Sequence, residues 1–392
     1  MRPAALVLAG ILLAGCSAAP IQDGAKDSVP ASASASARPD PTPSSTPAPT
    51  GPACAGEAAS MDLAAQVGQL IMVGVDVGLG EAQRSVIRTN RLGSVILMGR
   101  TPGGARQVAE LAGKLDALAG EAGILIATDQ EGGLVQRLQG PGFSKIPPAA
   151  EHAKLSSAEL VAKAKGWGRE LANAGVRLDL APVADVVPAQ FRATNQPVAR
   201  LGRGYGSDPK TVSAKVAAFS KGMHAADVAV AVKHFPGLGA VTDNTDFATS
   251  VVDRTTTAKS ALLRPFKDAV ADGADAIMVS SARYTKIDPD HVAVFSPTVI
   301  GLLRGWGFDR VVVSDDLGAA AAVRGVPSSQ RAVRFVSAGG DLALTVDAAT
   351  AEAMASGLRK AAKADPDLAA RVAESAARVL ALKASLGLYE CG

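Results

Sequence analysis

Eight short aliphatic runs recur along the chain, at 68–77 (GQLIMVGVDV), 93–98 (GSVILM), 123–128 (GILIAT), 176–183 (VRLDLAPV), 228–234 (VAVAVKH), 276–280 (AIMVS), 310–314 (RVVVS) and 342–346 (LALTV). Each is rich in Val, Ile and Leu without the strict polar alternation of a strand with one wet face, so each reads as a strand covered on both sides. Helical segments fall between them, at 105–119, 157–174, 208–226, 257–272 and 328–338, and one more at 367–386 is expected to pack on the outside. Eight strand–helix units over this length describe an α/β fold of the (β/α)8 TIM-barrel kind; an open doubly wound sheet is the alternative.

The N-terminus does not belong to that pattern. Met1-Arg2 and the apolar run 4–14 read as a signal peptide over residues 1–15. Eleven apolar residues are too few for a spanning helix, which needs roughly 20. The run ends in Leu13-Ala14-Gly15-Cys16, which resembles the bacterial lipobox. That resemblance implies lipidation of Cys16 and attachment to the outer face of the cell membrane; the other reading is an ordinary cleaved signal. Residues 16–52 are mostly Ser, Ala, Pro and Thr and cannot bury enough surface to offset ordering entropy, so they read as a disordered tether. Residues 53–392 remain for one barrel domain, a size that suits one large core better than two small ones.

Composition removes several classes of function. The net charge is +3 with both signs spread along the chain, and no basic block is interleaved with aromatics, so nucleic acid is not an expected partner. With Cys16 lipidated, Cys54 and Cys391 are left near the two ends of the globular part. Barrel folds bring those ends together, so a disulfide is expected in an oxidising exterior, against the alternative of two free thiols. No Cys/His cluster has metal-ligand spacing and no Gly-rich loop of the phosphate-binding kind precedes a helix, so neither metal nor cofactor is expected. A monomer is expected.

In a barrel of this type chemistry gathers where strands end. The polar residues there are Asp129, Asp185, the Lys233-His234 pair, Asp315-Asp316 and Asp347. Carboxylates converging with a Lys-His pair on one rim suit a polar, hydroxyl-rich ligand. Gly237 and Gly239 are expected to let the loop after the fifth strand turn tightly.

Three stretches, T-D-Q-E-G-G-L-V-Q-R-L (128–138), V-K-H-F-P-G-L-G (232–239) and V-V-V-S-D-D-L (311–317), together with L-A-P-V-A-D (180–185), R-G-Y-G-S-D-P (203–209) and A-G-G-D (338–341), resemble the family 3 glycoside hydrolases. The likeness is greatest to their single-domain β-N-acetylhexosaminidase branch and covers roughly residues 61–386. It implies that Asp315 is a nucleophile forming a glycosyl-enzyme intermediate, and a carboxylate held at a buried strand end suits that task. It also implies that Asp129, Arg137, Arg203, Lys233 and His234 hold the sugar, charge-assisted hydrogen bonds being the stronger ones. Structural readings stand beside these: a Lys233–Asp129 salt bridge shaping the rim, a satisfied core histidine at 234, and a helix N-cap role for Asp316 ahead of residues 317–323.

One loop departs from the branch. Its members usually carry a histidine, paired with an aspartate two residues earlier, after the K-H-F-P-G-x-G motif. Here the loop is A-V-T-D-N-T-D (240–246), with Asn244 and Asp246 at those two positions and Leu238 in place of a second histidine. None of the four histidines, His152, His224, His234 and His291, lies on it. Asp246 is the expected acid/base, with Asp243 behind it, because a carboxyl can serve when burial or a neighbouring carboxylate raises its pKa. The function implied is a retaining exo-β-N-acetylhexosaminidase acting on N-acetylglucosamine-containing muropeptides. The alternatives are an impaired lipoprotein that only binds such sugars, or a β-glycosidase for another sugar.

Overall fold

A computed structural model describes residues 53–392. The expected leader, the lipidation site Cys16 and the tether all lie outside the described residues. Among those described, no helix is long and apolar enough to cross a membrane.

Every one of the eight aliphatic runs contains a strand: β1 (Ile71–Val75), β2 (Ser94–Leu97), β3 (Leu125–Thr128), β4 (Leu178–Asp179), β5 (Ala229–Phe235), β6 (Ala276–Val279), β7 (Val311–Ser314) and β8 (Ala343–Thr345). They pair in parallel in the order β7-β6-β5-β4-β3-β2-β1-β8. A bridge between Val313 and Leu342 brings β7 against β8 and completes the ring. This is the (β/α)8 barrel, not the open sheet.

The two-sided burial read from the runs has a direct structural cause. Met72, Ile96, Leu125, Leu178, Ala231, Met278, Val313 and Leu344 point into the lumen and form one cluster. Their strand neighbours Ile71, Val73, Val95, Val232, Ile277 and Val312 point outward into a second cluster shared with the helices. Successive side chains alternate faces, and both faces are apolar.

The last helix corrects an expectation. Pro366–Ser385 does not merely lie against the outside, because Val379 and Leu382 join the lumen cluster and so cap one end of the barrel. Its Lys383 is fully buried and donates to Gln69 Oε1 (2.6 Å) and to the carbonyls of Ala122 (3.1 Å) and Gly123 (3.0 Å). Three acceptors match the three donors of an ammonium. Beside this plug, Asp341 accepts from Arg304, Arg371 and Arg378, tying the helix to the start of β8. Cys54 and Cys391 are joined as a disulfide with Cα atoms 5.2 Å apart, linking the ends of the described chain.

Helices occupy Gly104–Asp116, Ser157–Asn173, Pro209–His224 and Ser328–Ser337 near their expected places. The segment expected as a helix over 257–272 is helical only from Arg264 to Ala271, after a 3-10 turn at Ala261–Leu263. The reason is local: Pro265 favours the first helical turn, and Asp253 holds the preceding chain in a turn through Thr255 and Thr256.

Candidate active site

The C-terminal ends of the strands surround a cleft of about 670 Å³. Asp129, Arg137, Arg203, Lys233, His234, Asp246 and Asp315 all line it, so residues drawn from five separate stretches of sequence meet on one surface. Asp347 does not. Its side chain accepts from Thr350 N (2.7 Å) and caps the helix Ala348–Ala364.

β5 supplies two adjacent cleft residues, which regular alternation forbids. The pairing of β5 with β6 shifts between Val232 and Phe235, and this irregularity lets Lys233 and His234 both reach the cleft. Lys233 is 2% exposed, and its Nζ lies 2.6 Å from Asp129 Oδ1 and 2.6 Å from Glu131 Oε1. Arg203 grips Glu131 in a two-pronged pair, Nε to Oε2 at 2.8 Å and Nη2 to Oε1 at 2.7 Å. Burial alone raises a carboxyl pKa, but Arg203 and Lys233 outweigh it and hold Glu131 well below the usual carboxylate range. Burial likewise opposes the charge on Lys233, yet Asp129 and Glu131 keep its pKa raised. Two cations and two carboxylates therefore form one balanced buried network. Losing one member strands its partner, which typically costs about 3–5 kcal/mol.

His234 joins this network end-on. Its Nδ1 is 2.7 Å from Asp185 Oδ2 and its Nε2 is 3.2 Å from Arg203 Nη2. A guanidinium only donates, so Nε2 accepts and the ring proton sits on Nδ1, facing Asp185. Asp185 Oδ1 also accepts from His234 N (3.1 Å) and Leu238 N (2.9 Å), which fixes the chain on either side of Phe235-Pro236-Gly237. Gly239 is required by close approach: a Cβ there stands 1.7 Å from the Val186 carbonyl oxygen. Asn195 completes the fixation by donating to the carbonyls of Leu238 (2.7 Å) and Val241 (2.9 Å).

Arg137 is a looser member, with Nε 4.0 Å from Asp129 Oδ2 at the cleft edge.

Asp315 follows β7. Its amide donates to Val279 O (2.9 Å), which continues the ladder to β6, and its Oδ1 accepts from Asp316 N (2.9 Å). The side chain is half-buried in the cleft. Burial pushes its carboxyl up to about 6, the charges of Asp246 and Asp316 add to the rise, and the hydrogen bond from the Asp316 amide opposes it. Asp316 is raised too, by burial first, against amide hydrogen bonds from Gly318 and Ala319 (2.7 and 3.1 Å). The expected N-cap is therefore a turn cap: no α-helix covers 317–323, only a 3-10 turn at Ala321–Val323.

The end of the loop 240–246 lines the same cleft as this carboxylate, through Asn244, Thr245 and Asp246. Asp246 is exposed at the cleft wall, its amide accepted by Asn244 Oδ1 (2.9 Å) and its carbonyl accepting from Ala321 N (3.2 Å). Asp243 does not line the cleft and is bonded to Thr242 Oγ1 (3.0 Å). The two candidates are thereby separated by geometry.

Sequence reasoning gave Glu131 no role and left Asp185 without one. Glu131 had a signal, as a carboxylate two residues beyond Asp129 on the same strand-end loop. Asp179 is a third such residue: fully buried, with one oxygen accepting from Gln130 N (2.9 Å), it is pushed by burial up to about 8.

The family model for the glycosyl hydrolase family 3 N-terminal domain matches residues 62–382. The chain belongs to glycosyl hydrolase family 3. Similar proteins align over most of the fold. A β-hexosaminidase from Stenotrophomonas maltophilia is 32% identical over 287 residues, 70% of this chain and 82% of its own length. A crystal structure of β-N-acetylhexosaminidase from Beutenbergia cavernae is 43% identical, covers 83% of this chain and 99% of its own, and superposes with a TM-score of 0.81. A family 3 β-N-acetylglucosaminidase from a Paenibacillus species is 29% identical with a TM-score of 0.75, over 84% of this chain and 63% of that one. As a family 3 member the chain is a glycoside hydrolase.

Proposed function

We propose that this family 3 enzyme is a retaining exo-β-N-acetylglucosaminidase. It removes terminal N-acetylglucosamine from peptidoglycan fragments, outside a membrane to which Cys16 tethers it. The observation that carries the chemistry is the placement of Asp315 on the same cleft surface as the Asp129–Lys233–Glu131–Arg203–His234 network. The similar hexosaminidases support the choice of sugar, and the sequence of the leader supports the location.

Each group then has a task. Asp129, with Lys233, Arg203 and His234 behind or beside it, offers fixed donors and acceptors to the sugar hydroxyls. Asp315 attacks the anomeric carbon; the carbon–oxygen bond to the aglycone breaks, and a glycosyl–Asp315 ester forms. Asp246 gives its proton to the departing oxygen. It then takes one from the water that attacks the ester, which frees the sugar and restores both carboxyls. Two displacements at one carbon return the β configuration.

A carboxyl raised to about 6 is protonated below that pH, and a protonated Asp315 is not a nucleophile. We expect kcat/KM for an aryl N-acetyl-β-glucosaminide to fall tenfold per pH unit below about 6, with β-N-acetylglucosamine as the first anomer seen by NMR. An α anomer appearing first contradicts the double displacement. A profile flat down to pH 4 contradicts the role of Asp315.

A further inference from the structure

Among the described residues, the large apolar side chains that stand exposed are Leu134 (77%) and Phe247 (84%). Phe247 lines the cleft directly, next to Asp246. Leu134 sits in the tight turn between Gln130–Gly132 and Val135–Gln136, beside Val135, which also lines it. Of the two, Phe247 is the one at the cleft, where an exposed ring can offer its face to whatever enters.

Arg324 belongs to the same cleft. It is exposed, lines the cleft, and its guanidinium makes no hydrogen bond or ion pair among the described residues. Every other cation placed in the site, Lys233, Arg203 and Arg137, has a carboxylate beside it. Arg324 and Phe247 are held in relation to one another. The turn that leads to Arg324 donates from Ala321 N and Ala322 N to the carbonyls of Asp246 and Thr245, both at 3.2 Å, so the two loops form one wall.

The position of that wall decides its task. Sugar-holding groups lie on the β3–β5 side of the cleft. Asp246, which protonates the leaving oxygen, lies on the wall that carries Phe247 and Arg324. Whatever rests against those two side chains is therefore the leaving group.

Resting on the glycosidase reading above, we infer that Phe247 and Arg324 form the leaving-group subsite and select an aglycone ring that bears a carboxylate. Phe247 covers the apolar face of the ring, and Arg324 meets the carboxylate with a planar fork of donors.

The test compares two β-1,4 disaccharides, each with N-acetylglucosamine at the non-reducing end. One aglycone is a second N-acetylglucosamine; the other is the same ring carrying a lactyl ether carboxylate. The full-length protein is expected to favour the carboxylate disaccharide about fivefold in kcat/KM, the upper end for an exposed charge pair. Arg324→Gln brings that ratio to about one, and 0.5 M salt shrinks it in the parent protein. Phe247→Ala raises KM for both disaccharides and leaves the ratio in place. A ratio of one in the parent, or a preference that survives both Arg324→Gln and salt, overturns the subsite. An unchanged KM in Phe247→Ala removes that residue from it. Failure of the glycosidase reading looks different, with neither disaccharide cleaved; calorimetric Kd values for the same two sugars then decide the subsite alone.

Discussion

Asp315→Asn is expected to reduce turnover of an aryl N-acetyl-β-glucosaminide by on the order of 10⁴-fold or more, as removal of a covalent nucleophile does elsewhere. The substitution keeps the local structure, because an amide oxygen still accepts from Asp316 N where Oδ1 now does. It also removes an unfavourable charge. A carboxyl whose folded-state pKa lies above its unfolded value binds its proton more tightly when folded, so stability falls as pH rises from the ordinary carboxyl value of 3.8 to about 6 and the full penalty stands at pH 7. Asn carries no such penalty, so Asp315→Asn melts no lower than the parent at pH 7, and the expected direction is upward. Activity falls while stability holds or rises, which separates a catalytic loss from a folding defect. A variant that melts lower and keeps a tenth of its activity contradicts the assignment.

Asp246→Ala is expected to lose activity selectively. General acid catalysis contributes roughly 10²–10⁴-fold, and only when the leaving oxygen needs a proton. A disaccharide expels a basic alkoxide and suffers the full loss. A nitrophenyl glycoside expels a stable anion without help, so its first displacement is spared. The ratio of kcat/KM for the two substrates therefore shifts by about 10²-fold or more between parent and variant. Asp243→Ala serves as the comparison, because that side chain points to Thr242 away from the cleft. Equal losses on both substrates in Asp246→Ala, or the selective loss appearing in Asp243→Ala, would assign the proton transfer elsewhere.

The barrel was legible because its strands are apolar on both faces. Met72 fills the lumen while Ile71 and Val73 meet helices, and a run of aliphatics with no polar partner face is the result. The helices Glu81–Asn90, Pro297–Gly305 and Ala348–Ala364 were less legible. The first buries only two large aliphatics, Val86 and Ile87, and the last buries mainly alanines with Met354 and Leu358, so few large apolar side chains mark either. The lumen plug could not be read either, since a helix that buries one face against a barrel's outside has the same pattern as one that closes its end.

The site divides in a similar way. Asp129, Lys233, His234 and Asp315 stand at strand ends, where position alone makes them candidates. Glu131 owes its importance to Arg203, which is 72 positions distant, and no local pattern announces such a pair. Asp185 acts through the orientation of His234, again a three-dimensional fact. Phe247 and Arg324 share a wall only because two loops exchange backbone hydrogen bonds.

The most direct test is to catch the ester itself. The protein is incubated with a fluorinated N-acetylglucosaminyl donor that glycosylates quickly and hydrolyses slowly, then digested and sequenced by mass spectrometry. One sugar added per chain, on the peptide containing Ser314-Asp315-Asp316 and fragmenting to Asp315, is the predicted result. Label on Asp246 or Asp316, or steady turnover with no labelled peptide at any time, contradicts a glycosyl–Asp315 intermediate.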